Sequence, residues 1–437
     1  MESKPATDQS AMSSVSRRTL LKGVAGTLAA VRVDLPAGAF AESAGPEATK
    51  ALLGYIALVD SAPLIIAKEK GLFARHGMPD VEVNKQASWG ATRDNLVLGG
   101  ANNGVDGAHI LTPMVYLIAA GKVTQNNTPT PMYVGARLNL DSQGISVSNE
   151  YKDLKVTADA SALKIAFAKK RAAGKDVKVA VTFPGGTHDL WMRYWLAAAG
   201  VDPDKDVSTI VVPPPQMVAN MKVGNMDAFC VGEPWNEQLV NQGIGFTACT
   251  TGEIWPKHPE KALGLRAEWV DKNPRAAKAL IAAVLEAQQW CDRQENKAEL
   301  AEIIGRRQWF NVPVSDIIGR LKGDVNYGNG RVEKGTKQFM KFWRDFASYP
   351  FKSHDAWFVV ENMRWGKFDA KTDVKAMVDK VNREDLWRDA AKSLGVAANE
   401  IPASTSRGKE TFFDGKVFDP DKPLAYLKSL SIKRPEV

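Results

Sequence analysis

The chain has 437 residues, 44 % hydrophobic and 24 % charged, which leaves room for two or three packed domains and excludes a fibrous or disordered chain. Its formal net charge is +7, but the first 41 residues hold five basic and three acidic side chains and leave +5 for the remainder, too mild a balance to point to nucleic acid. Three cysteines, Cys230, Cys249 and Cys291, have no CxxC spacing and support neither a disulfide framework nor a zinc ribbon.

In chain order, Ser16-Arg17-Arg18-Thr19-Leu20-Leu21-Lys22 places two arginines before an apolar stretch, and Ala39-Phe40-Ala41 supplies small residues at the spacing of a cleavage site. The pattern predicts a twin-arginine signal over 1–41, export through the twin-arginine machinery to the periplasm, and a mature chain starting near Glu42. No later stretch reaches the ~20 apolar residues of a membrane span, so a soluble mature chain is expected.

"ALLGYIALVD" then reads as a buried strand, and Ser61-Ala62-Pro63 as the start of a helix ending at Gly71, with the serine as its cap. "VEVNKQA" is a second strand, Trp89-Gly90-Ala91-Thr92 a turn into the helix "RDNLVLGG", "VDGAHIL" a third strand, and Thr112-Pro113 the start of a helix ending at Gly121. Further on, "VTFPGGTHDLWMRYW" (181–195) joins a strand to a helix through two glycines. The free N–H groups and dipole of that helix start suit an anion or a polar substrate.

"STIVVPPPQMVANMKVGNMDAFCVGEPWNEQL" repeats the earlier pattern, with Asn95 to Gly99 matching Asn220 to Gly224, Asp106 matching Asp227, and Pro113 matching Pro234. One α/β unit has been built twice, and two such lobes facing each other form a ligand cleft. The expected division is a discontinuous first lobe over 48–145 plus 247–400, a second lobe over 146–246, and an irregular extension over 401–437. The amphipathic run "NPRAAKALIAAVLEAQQWCD" begins the helices that return to the first lobe.

The sequence has no GxxxxGK[ST], GxSxG or strand-borne GxGxxG, and its five histidines (76, 109, 188, 258, 354) have no metal-binding spacing. Binding is therefore favoured over catalysis, with no catalytic residue, cofactor or metal ligand assigned.

At "DSAPLIIAKEKGLF", "ASWGATRDNLVLG", "DGAHILTPM", "GGTHDLWMRYWLAAAG", "VGEPWN" and "HPEKALGLRAEWV" the chain resembles the nitrate-binding periplasmic proteins of ABC importers, over roughly residues 50–400. The resemblance implies a two-lobed type II periplasmic binding protein that captures nitrate or nitrite and delivers it to a permease and ATPase in the inner membrane. Relatives of that family bind bicarbonate or organic sulfonates, or act as nitrate sensors. The ligand residues it implies are Trp89, Gln143 of "LDSQGIS", Gly186, His188, Trp235, and a lysine of "WPKHPEK". Lys261 is the choice for that lysine, with Lys257 the alternative register. An acidic residue replaces this lysine in bicarbonate-binding relatives, where a metal ion assists, so a lysine points to nitrate. Each residue also has a plainer reading: Trp89 and Trp235 as core aromatics, His188 as a helix cap, Gln143 as a partner for strand ends, Lys261 as a solvated side chain.

Overall fold

Short apolar strands alternating with proline- or glycine-led helices build two five-stranded mixed sheets in this computed structural model, which describes residues 45–436. The expected signal over 1–41 lies outside the described residues. The first sheet holds β1 (Leu52–Tyr55), β2 (Glu82–Lys85), β3 (Gly107–Leu111), β4 (Met132–Arg137) and β10 (Lys261–Arg266), in the order β2-β1-β3-β10-β4. The second holds β5 (Gln143–Ser148), β6 (Lys178–Val181), β7 (Ser208–Val211), β8 (Ala228–Gly232) and β9 (Gly245–Thr250), in the order β7-β6-β8-β5-β9.

The two sheets share one plan. β2, β1 and β3 are parallel, as are β7, β6 and β8. Each sheet then takes an antiparallel strand, β10 or β5, from chain that has just crossed from the other sheet, and closes with β4 or β9 against it. The matched aspartates do the same work in both copies: Asp106 Oδ2 accepts the Leu52 N–H at 2.9 Å where β1 begins, and Asp227 Oδ2 accepts the Lys178 N–H at 2.8 Å where β6 begins. A carboxylate that satisfies the first N–H of a neighbouring strand fixes where that strand starts.

Several boundaries differ from expectation. The chain passes between the sheets over 138–142 and 251–260, because Gln143 and Gly245–Thr250 are already paired in the second sheet. The expected cuts at 145/146 and 246/247 therefore fall inside paired strands. Helix Trp89–Leu98 starts where a turn was expected, since the Ser88 hydroxyl accepts the Ala91 N–H at 3.1 Å and caps it. The Ser61 hydroxyl instead donates to the Leu58 carbonyl at 2.8 Å and does not cap helix Ala62–Glu69.

Within 247–400, residues 314–338 pack on the second sheet rather than the first. Arg320 reaches Glu233 at 2.7 Å and Thr247 at 2.7 Å, the Thr247 N–H donates to the Tyr327 carbonyl at 2.8 Å, and Arg331 reaches Glu253 at 2.6 Å. The extension over 401–437 is more ordered than expected: it carries a small hairpin, Glu410–Thr411 with Val417–Phe418, and helix Pro423–Lys428. Its buried Phe412 and Tyr426 pack on Trp255 and Trp357, so aromatic burial gives this tail its structure. No helix of the described residues is long and apolar enough to cross a membrane.

Candidate functional site

The repeat determines where polar groups converge. In a parallel strand-helix unit, side chains at strand carboxyl ends and helix amino ends gather along one edge of the sheet, and here two such edges meet. The first sheet contributes Asp60, in the turn Val59–Ser61 after β1, His109 in β3, and Glu260 and Lys261 at the start of β10. The second contributes Gln143 at the start of β5, Thr182 after β6, and Thr187, His188 and Trp191 in helix Thr187–Ala198. Every one of these side chains is buried.

Lys261 Nζ lies at the centre. It is 2.9 Å from Asp60 Oδ2, 2.7 Å from Glu260 Oε2 and 3.3 Å from Gln143 Oε1, so its three N–H bonds each have an acceptor. His188 Nε2 is 2.8 Å from Gln143 Oε1, and its Nδ1 is 2.5 Å from the Thr182 hydroxyl. The Gln143 amide nitrogen donates to Asp60 Oδ2 at 3.2 Å, which fixes its Oε1 as the acceptor for His188 and Lys261. His109 Nε2 meets Asp60 Oδ1 at 2.6 Å while the Ile56 N–H approaches its Nδ1 at 3.5 Å. Glu260 is held by Thr187 at 2.9 Å, Trp191 Nε1 at 2.7 Å and Lys261.

Charge in this dry cluster follows from those partners. Burial works to raise the Asp60 carboxyl, but Lys261 and His109 outweigh it and hold it well below the carboxylate range. Burial dominates at Glu260, which is raised despite Lys261. Lys261 itself is raised, because Asp60 and Glu260 overcome its desolvation. Burial lowers both imidazoles, and Lys261 pushes His188 well below its usual value. The cluster thus sets an ionised Asp60 against the Lys261 ammonium, with burial favouring the protonated form of Glu260 and the neutral form of both rings.

Three of the residues expected at the site, Gln143, His188 and Lys261, meet directly. Trp89 borders them: it is buried, its ring centroid is 5.3 Å from that of His109, and its indole N–H has no hydrogen-bond partner among the described residues. Lys257, the alternative register, lies elsewhere, half-exposed and paired with Asp345 at 3.0 Å. Gly186 lies at the start of the helix, but its N–H is taken by the Phe183 carbonyl at 3.0 Å. What it provides is closeness, since a Cβ there would stand 2.6 Å from Leu111 of the opposite lobe. Trp235 is a buried aromatic at the seam, its indole donating to the Ala57 carbonyl at 3.1 Å; among the described residues no hydrogen bond joins it to Asp60, Gln143, His188 or Lys261.

The anion against the first turn of helix Thr187–Ala198 in this structure is the chain's own Glu260. Glu260, Asp60, His109 and Trp191 were not singled out by the sequence reading. Asp60 had one signal, its place just before the helix that Ser61-Ala62-Pro63 opens. His109 and Glu260 had none, because a residue's spacing along a strand says nothing about which strand of another sheet it will face.

The two like-built mixed sheets with a polar cluster between them are the architecture of a two-lobed periplasmic binding protein of type II. Residues 44–305 match the model of the NMT1-like family. The chain is 65 % identical over 389 residues to the nitrate/nitrite binding protein NrtA of Synechocystis, covering 89 % of this chain and 86 % of that protein. It is 45 % identical over 397 residues to the bicarbonate-binding protein CmpA of Synechococcus elongatus, covering 87 % of this chain and 86 % of that one. The crystal structure of the periplasmic nitrate-binding protein NrtA from Synechocystis superposes with a TM-score of 0.87 at 64 % identity, over 89 % of this chain and 100 % of that one. The chain belongs to the NMT1-like family and, within it, to the NrtA-type binding proteins.

Proposed function

We propose that this chain is the solute-binding component of an ABC importer, capturing nitrate or nitrite between its lobes in the periplasm and delivering it to a membrane permease and its ATPase. The observation that carries the reading is Lys261, a buried ammonium where residues of both lobes converge. The greater identity to nitrate/nitrite-binding than to bicarbonate-binding relatives, 65 % against 45 %, supports the same ligand class.

Nitrate is planar, singly charged and weakly hydrated. Its oxygens take one Lys261 N–H, in place of the 3.3 Å contact to Gln143, together with the His188 ring and the unpartnered Trp89 N–H. The Lys261 ammonium attracts the anion, and its sharing with Asp60 and Glu260 keeps it from holding the anion too tightly to release. Trp235 and Gly186 shape the seam instead of touching the anion. Residues 1–41 serve as a twin-arginine signal, so Arg17→Lys with Arg18→Lys leaves precursor in the cytoplasm. Processed periplasmic protein at the normal level in that variant excludes this route.

Calorimetric titration with nitrate, nitrite, bicarbonate and taurine tests the reading. Saturable binding of nitrate and nitrite alone supports it; binding of bicarbonate or taurine in their place overturns it.

A further inference from the structure

Gln143 sets the geometry of the polar cluster, because its Oε1 faces both His188 Nε2 and Lys261 Nζ. It is the first residue of β5, so the sheet holds the chain after it, and the turn Asp141-Ser142 holds the chain before it. Both residues of that turn are left-handed, at φ 60° and 66°, although neither is glycine. L-residues avoid this region, and two in succession persist only where surrounding contacts hold them there.

Those contacts converge on Asp141. Its N–H donates to the His258 carbonyl at 3.1 Å and its Oδ1 accepts the His258 N–H at 3.2 Å, a reciprocal bond between the two crossings that join the sheets. Its carbonyl accepts the Asn139 amide at 3.2 Å. Its Oδ2 accepts from Lys341 Nζ at 2.7 Å, and Lys341 belongs to a third segment that runs antiparallel to the first crossing and exchanges backbone hydrogen bonds with Leu140 at 3.0 and 3.2 Å. Every polar group of Asp141 thus has a partner, and the residue ties three stretches of chain together two positions before Gln143. Asp141 and Lys341 are both buried. Burial pushes the Asp141 carboxyl up to about 6 against the pull of Lys341, so it is ionised at pH above that value.

We propose that Asp141 is a positioning residue of the anion site: its carboxylate, bridging the Lys341 ammonium and the His258 N–H, holds the left-handed turn from which Gln143 enters β5 and so aims the Gln143 amide at His188 and Lys261. The proposal rests on the reading of this cleft as an anion site. Asp141 acts at a distance from the anion, through Gln143 alone. The Lys341 ammonium is its counter-charge, and the reciprocal bond to His258 keeps the two crossings in register where the lobes meet.

Calorimetric titration with sodium nitrate at about pH 8, where Asp141 is ionised, tests this alongside thermal melts of the same proteins. Asp141→Ala with Lys341→Met removes both charges together and strands neither, since Asp345, 3.7 Å from Lys341, keeps Lys257 at 3.0 Å. This pair of changes should weaken nitrate binding by about tenfold or more. Asp141→Asn with Lys341→Met keeps an acceptor for the His258 N–H and a side chain that tolerates the left-handed region, and should recover affinity to within about threefold of the unmodified chain. In a Gln143→Ala background the alanine pair should change affinity by less than about twofold, because a residue that acts only through Gln143 then has nothing left to position. Undiminished affinity in the alanine pair, an asparagine pair as weak as the alanine pair, or the same fold-loss with and without Gln143 overturns the proposal. If the alanine pair does not melt cooperatively, Asp141→Ser with Lys341→Met, which keeps a hydroxyl but not the left-handed tolerance of asparagine, takes its place with the same expected results. Absence of nitrate binding by the unmodified chain overturns the receptor reading instead.

Discussion

Lys261 is where residue-scale chemistry is concentrated. Removing its ammonium takes away the cation an anion needs and should weaken nitrate binding well over tenfold, on the order of 2–5 kcal/mol. The same change leaves Asp60 and Glu260 buried without their shared partner. Lys261→Ala should therefore also lose on the order of 3–5 kcal/mol of stability near neutral pH. Carboxylates stranded in this way have folded pKa values above their unfolded ones, so the loss should shrink as pH falls and grow as pH rises; thermal melts of both proteins across pH check it. Lys257→Ala is the control, since that side chain is half-exposed and pairs with Asp345 away from the cluster; nitrate affinity and melting temperature should barely move. Gly232 tests the geometry from the other side. A Cβ there would stand 2.6 Å from Gln143 Oε1 and 3.4 Å from Asp60 Oδ2, so Gly232→Ala should displace the Gln143 amide and weaken binding with little loss of secondary structure by circular dichroism.

At the scale of elements, the duplicated aspartate makes a prediction for each copy. Asp106 accepts the N–H groups of Leu52 and Gly100, so Asp106→Ala should cost about 1–3 kcal/mol in denaturant unfolding by leaving the start of β1 unsatisfied. The segment packed across the second sheet has its own titrating contact. Burial and the neighbouring Glu233 push Glu237 up from the ordinary 4.5 to about 7, against the pull of Arg320. A group raised in the folded state gives its stability below its unfolded value and loses it as pH rises through the folded one. Glu237→Gln should accordingly stabilise the protein at pH above about 7, by roughly 1–3 kcal/mol, and make little difference below about pH 4.5.

For the whole molecule, the two crossings between sheets are joined by other bridges. Trp191 of the second lobe stacks on Trp357 with centroids 5.0 Å apart, and its N–H reaches Glu260 at 2.7 Å. The Tyr194 hydroxyl meets Asp414 at 2.9 Å. Hinge motion about residues 138–142 and 251–260 must break these contacts to admit an anion to a cluster that is otherwise buried. Small-angle scattering should show a smaller radius of gyration with saturating nitrate than without it. An unchanged radius would mean that the bridging aromatics keep the lobes shut and that entry proceeds by local opening.

The local grammar of the fold was legible in the sequence because it depends on neighbours along the chain. Proline in the first helical turn at Pro63 and Pro113 and the alternation of strand and helix reflect interactions within one strand-helix unit, whereas Asp106 and Asp227 were legible only as a repeat, their contacts to Leu52 and Lys178 reaching across to another strand. Lys261, Gln143, His188 and Trp89 came from motifs, and the structure brings the first three into contact. Only tertiary structure decided what surrounds them. Asp60, His109 and Glu260 lie far apart in sequence or beside a residue of opposite charge, and their meeting follows from which strand crosses into which sheet. The same crossing separates Lys261 from Lys257, four residues apart: one begins β10 in the core and the other sits at the surface against Asp345. Burial then sets the charge of the cluster, because a carboxylate or imidazole has an ordinary affinity for protons until water is taken away from it.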